Sequence, residues 1–79
     1  ASDLDLLVRA ETPLEADECR LLQSLKAHAG CRLDIQIDTG FGGFAFDEWA
    51  AGRRSVLLKT AHGPRLVRDP WHLEDEEAA

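Results

Sequence analysis

Seventy-nine residues, 44% hydrophobic and 30% charged, specify one small globular domain whose core is too small for a deep substrate cavity. No apolar run is long enough to span a bilayer, the start ASDLDLL is acidic where a secretory signal is basic, and Cys19 and Cys31 are too few for a secreted disulfide framework; a cytoplasmic protein with reduced thiols is expected. The net charge of -6 is unevenly placed, with -6 in residues 1–52, +5 and no acid in residues 53–68, and -5 in residues 69–79. Such a distribution concerns association more than fold.

Leu4, Leu6 and Val8 alternate with Asp5, Leu7 and Arg9, the period-two pattern of a strand. A helix over residues 13–29 follows. Thr12 is placed to cap it, Pro13 fits its first position, and Glu15 completes a capping box. Glu15, Asp17 and Glu18 favour the positive end of the helix dipole, Lys26 and His28 the negative end, and Gly30 supplies a left-handed stop. Leu14, Leu21, Leu22, Leu25 and Ala29 make its apolar stripe.

After Gly30, Leu33, Ile35 and Ile37 alternate with Arg32, Asp34, Gln36 and Asp38. This second strand should pair in parallel with the first through a right-handed crossover. Thr39–Gly43 is a turn, and Phe44 and Phe46 alternate with Ala45 and Asp47 in a third strand that runs up to Trp49. Ala50-Ala51-Gly52 turns the chain into residues 54–60, and residues 61–64 turn it again into residues 65–68, so the basic segment forms a β-hairpin. Asp69-Pro70 ends it, and Trp71 and Leu73 fold back over apolar sheet surface. The expected fold is an α+β two-layer sandwich over residues 1–73, one helix on a four- or five-stranded, mostly antiparallel sheet in the order β-α-β-β-β-β, followed by a disordered acidic tail over residues 74–79.

No catalytic constellation stands out. Asp47 and Glu48 would face opposite sides of a strand, Asp34 and Asp38 share a face but are exposed, and His62 sits in a turn. His28 and Cys31, with Cys19, His62 and His72, lack the spacing of a zinc site. Gly40, Gly42 and Gly43 precede a strand and not a helix, so they form no phosphate loop. No metal, cofactor or catalytic residue is expected.

One helix cannot cover so wide a sheet, which leaves a face or an edge open to a partner. The expected function is a small, acidic, non-enzymatic protein-binding module acting as an inhibitor, adaptor or regulatory subunit. Glu15, Asp17, Glu18, Asp34 and Asp38 would meet a partner with a basic surface, with Phe41 and Trp49 as aromatic contacts; a homodimer through a sheet edge is equally simple. The alternative is nucleic-acid binding by Arg53, Arg54, Lys59, Arg65 and Arg68 of the hairpin. Against it stand the sequence pI of about 4.8 and the lack of any aromatic residue between 53 and 68.

The order of strand, helix to Gly30, strand over Cys31–Asp38, and Ala51-Gly52-Arg53-Arg54 before an apolar strand is similar to the small C-terminal lid of adenylate-forming ligases. In that family a Gly-Lys step precedes the last strand, and its lysine contacts the acyl adenylate. The resemblance implies a lid-like small-ligand module, with Arg53 in the lysine's place.

Overall fold

A computed structural model describes residues 3–72. Five strands form one sheet in the spatial order β1-β2-β3-β4-β5: β1 (Asp3–Arg9), β2 (Arg32–Asp38), β3 (Gly43–Ala45), β4 (Val56–Thr60) and β5 (Gly63–Val67). The first two are parallel, in register from Asp3 opposite Arg32 to Arg9 opposite Asp38. All other pairings are antiparallel. Helix α1 (Ala16–His28) links β1 to β2, and a second helix, α2 (Phe46–Ala50), lies between β3 and β4. The architecture is the expected α+β sandwich, with two helices where one was expected. The basic segment is the expected hairpin, β4 and β5.

Three local expectations are corrected. The N-cap of α1 is Glu15 and not Thr12, so the helix begins later than residue 13. Glu15 is extended (φ -82°, ψ 164°) and forms a reciprocal capping box with Glu18, whose carboxylate accepts the Glu15 N–H at 2.9 Å. Residues 12–14 lead into that cap. At the other end Gly30 has φ 70°, the left-handed stop anticipated. The apolar stripe of α1 is also narrower than expected: Leu22 alone is buried on this helix, and Leu21 and Leu25 are exposed.

The third correction concerns Phe46–Trp49. Only Gly43–Ala45 pairs with β2 before the chain turns helical. Phe46 and Trp49, three residues apart, lie on one helical face with ring centroids 6.3 Å apart, whereas a strand would send them to opposite faces. Asp47 and Glu48 therefore belong to a first helical turn. Asp47 meets the Lys26 ammonium at 3.1 Å, tying α2 to α1.

The core is one cluster of Leu22, Ile35, Ile37, Phe44, Phe46, Val56, Leu58, Val67 and Trp71. Both helices and Trp71 pack on the same side of the sheet, as the alternation of Ile35, Ile37, Phe44, Val56, Leu58 and Val67 requires. Trp71 folds back as expected, its indole N–H donating to the Ala10 carbonyl at 2.7 Å. Leu73 and the acidic tail lie outside the described residues. Cys19 and Cys31 are free thiols. No described helix is long and apolar enough to cross a membrane.

Candidate functional site

Strand alternation turns Leu4, Leu6 and Val8 toward the helices and Asp3, Asp5, Leu7 and Arg9 to the other face. On that open face the parallel register sets Asp3 beside Arg32, Asp5 beside Asp34, Leu7 beside Gln36 and Arg9 beside Asp38. Asp3 and Asp5 are exposed and, two residues apart on one strand, about 7 Å from each other along it. Asp34 stands one strand spacing from Asp5, about 5 Å away. Arg32 Nε lies 3.6 Å from the Asp34 carboxylate. Three carboxylates and a guanidinium thus share one open corner of the sheet. No group of three or more His, Cys, Asp or Glu among the described residues is arranged to hold a metal ion.

Asp3 and Asp5 are the pair that the sequence reading missed. Their signal was available: Asp-Leu-Asp within a period-two strand puts both carboxylates on one face. Its significance depends on Asp34, and the β1–β2 register that brings Asp34 alongside is a tertiary fact.

Strand direction places the basic residues. Because β3 is antiparallel to both β2 and β4, strands β1, β2 and β4 all start at one end of the sheet, where β5 finishes. Asp3 and Arg32, the 51–55 connection with Arg53 and Arg54, and Arg68 just after β5 lie at that end. Lys59 points to the open face at the opposite end, next to Gly43 and across from Pro64. Arg65 stands opposite the buried Leu58, on the helix side. The five hairpin cations therefore do not form one ribbon face.

The acidic candidates are also divided. Glu15 and Glu18 are engaged in the α1 cap, and Asp17 pairs with Arg20, all within the helix layer. Asp34 and Asp38 lie on the open face, where an Asp38 oxygen accepts the Gly40 N–H at 2.9 Å and shapes the following turn. Phe41 projects from that turn, 52% exposed. Trp49 packs at 6.2 Å from Phe44 and 5.6 Å from Trp71, inside an aromatic cluster. His28 Nδ1 lies 2.8 Å from the Ser24 carbonyl, completing the last helical turn. Burial, and secondarily the Glu18 charge, push the Cys19 thiol above its ordinary pKa.

A family model described as the phosphoribosyl-dephospho-CoA transferase MdcG C-terminal domain matches residues 1–70. Among curated proteins, one from Pseudomonas putida (strain GB-1) is 47% identical over 77 residues, covering 98% of this chain and 38% of that protein. One from Klebsiella pneumoniae (strain 342) is 48% identical over 75 residues, 95% of this chain and 36% of that protein. Another, from Pseudomonas putida (strain W619), is 51% identical over 74 residues, 92% of this chain and 36% of that protein. All three are named phosphoribosyl-dephospho-CoA transferase. The chain spans little more than a third of the length of these relatives. No solved structure matches it.

These matches overturn the expected function. A chain whose relatives are named as transferases is not placed among non-enzymatic inhibitors, adaptors or regulatory subunits, and the family found is neither a nucleic-acid-binding hairpin nor a ligase lid.

Proposed function

This chain belongs to the family of the phosphoribosyl-dephospho-CoA transferase MdcG C-terminal domain, and from that premise we propose that it is the C-terminal part of such a transferase, with Asp3, Asp5 and Asp34 lining its transfer site. One observation carries the assignment to these residues: Asp3 and Asp5 share an open sheet face with Asp34 in register beside them.

The group named in the relatives, phosphoribosyl-dephospho-CoA, bears phosphate and is anionic. Carboxylates repel such a group unless a cation stands between them. Magnesium sites of this kind need only one or two protein carboxylates, with substrate phosphate oxygens and water completing the shell. Asp3 and Asp5 fit that donor set, and an ion held there would neutralise charge on the transferring group. Arg53 and Arg54, at the same end of the sheet, are suited to phosphate oxygens beyond the carboxylates. The two free thiols, Cys19 and Cys31, suit a reducing compartment, and we assign the protein to the cytoplasm.

The test is a chimera in which this chain replaces the matching segment of the Pseudomonas putida transferase. The chimera should transfer the phosphoribosyl-dephospho-CoA group. Asp3→Asn and Asp5→Asn should each lower its kcat by about 10²-fold or more, within the range of lost acid-base or metal function. Because both side chains are exposed, the unfolding midpoint should stay unchanged. A folded chimera without activity, or two variants as active as their parent, would overturn the proposal.

A further inference from the structure

Strand β1 is an edge strand, and its helix-facing side chains are poorly covered: Leu4 is 54% and Leu6 37% exposed, although their neighbours on β2 include Ile35 at 3%. On α1, Leu21 is 61% and Leu25 44% exposed. At 100° per residue, Leu21 and Leu25 fall on the opposite side of the buried Leu22 from Lys26. Lys26 reaches toward Asp47 of α2 and the Leu33 carbonyl, and α2 packs over β2 and β3. The Leu21–Leu25 flank therefore looks toward β1. Four leucines border the same outer side of the molecule, in a domain whose buried core among the described residues is nine hydrophobic side chains. Exposed leucines gathered on one side of so small a domain are the kind of apolar surface that marks an interface.

We infer that Leu4, Leu6, Leu21 and Leu25 form an intramolecular docking surface for an apolar element of the polypeptide that precedes this domain in the whole transferase, an inference that rests on the function proposed above. Two facts identify that occupant. The matched domain is the C-terminal one, and it makes up 38% of the Pseudomonas putida relative and 36% of the Klebsiella pneumoniae relative. Most of the remaining length therefore precedes it and joins at β1, the strand that carries Leu4 and Leu6. A tethered element at that point has a high effective concentration at the patch, which favours it over a separate partner.

The Pseudomonas putida chimera described above tests this without reference to activity. Leu4→Cys, Leu21→Cys and, as a control in the exposed hairpin turn, Ala61→Cys are alkylated separately in the folded chimera and followed by peptide mass spectrometry. Leu4→Cys and Leu21→Cys should react at least tenfold more slowly than Ala61→Cys. Equal rates at the three positions overturn the inference, as does protection that disappears when the chimera is diluted to a monomer, which would make the occupant a second copy. If the cysteine variants do not fold, hydroxyl-radical footprinting of the unsubstituted chimera decides: oxidation of Leu4, Leu6, Leu21 and Leu25 several-fold slower than that of Leu66, which is 68% exposed in this domain, supports docking, and oxidation of the four at the Leu66 rate overturns it. The site reading fails separately, through the kcat of Asp3→Asn and Asp5→Asn.

Discussion

Gly42 shows how a single residue is fixed by its neighbours and not by its own backbone. Gly40 has φ 98° and needs glycine for conformational reasons. Gly42 has no such φ, but a Cβ there would overlap the Lys59 carbonyl oxygen and lie 3.0 Å from the Lys59 carbonyl carbon and 3.2 Å from Leu58 Cγ. The obstruction is mostly backbone of β4, which cannot rotate away. Gly42→Ala should destabilise the domain by about 1–3 kcal/mol, the usual cost of overpacking, read as a lower denaturant midpoint at unchanged slope. Cys19 illustrates an electrostatic case. Its thiol pKa is raised by burial first and by Glu18 second, so less thiolate is present at neutral pH than for a free cysteine, and alkylation should be slow there and accelerate as pH rises. Glu18→Gln removes the smaller cause and should give a modest rise in rate at fixed pH. A Cys19 that reacts at pH 7 as fast as a small free thiol would contradict this account.

At the scale of elements, β1, β2 and the β4–β5 hairpin were legible because period two survives wherever one sheet face is buried. Helix α2 was not. Its five residues, Phe46–Ala50, are too few to display a helical period, and Phe44 with Phe46 imitates a strand until Trp49 is seen to pack beside Phe46. The start of α1 was displaced for a related reason: Thr12 and Pro13 form a good local signal, yet the reciprocal Glu15–Glu18 box is what satisfies the first backbone donors. Glu18→Ala removes the acceptor of the Glu15 N–H and should cost about 0.5–2 kcal/mol, as cap losses do. The loss should appear in thermal unfolding followed by helical circular dichroism. Trp71 supports the opposite end of the chain. Trp71→Phe keeps most of the aromatic packing with Phe44 and Trp49 but leaves the Ala10 carbonyl without its donor. It should cost about 1 kcal/mol, against about 3–5 kcal/mol for Trp71→Ala.

For the whole molecule, the uneven charge that dominates the sequence acquires meaning only through strand direction. Read linearly, residues 53–68 are a basic block remote from Asp3 and Asp5. In the sheet, the parallel starts of β1, β2 and β4 bring Arg53 and Arg54 to the same end as Asp3, Asp5 and Asp34, and send Lys59 to the other end. Three strand spacings separate β1, which carries Asp3 and Asp5, from β4, about 14 Å, a span that a phosphate-bearing nucleotide-like group can bridge. Under the proposed function the carboxylates act on the transferring phosphate and the arginines hold phosphate farther along the group, so the two sets should have different kinetic signatures. In the Pseudomonas putida chimera, Arg53→Ala with Arg54→Ala should raise KM for the phosphoribosyl-dephospho-CoA donor about tenfold, or roughly 1.4 kcal/mol, while kcat changes by less than about threefold, because binding is lost equally in the ground and transition states. The KM ratio between parent and variant should shrink as ionic strength rises, since exposed guanidinium–phosphate attraction is screened over about 8–10 Å. Asp5→Asn should do the reverse and lower kcat at a nearly constant KM. A double arginine variant that loses kcat without a change in KM would place those residues at the reacting atoms, and one that changes neither would leave them as solvated surface charge.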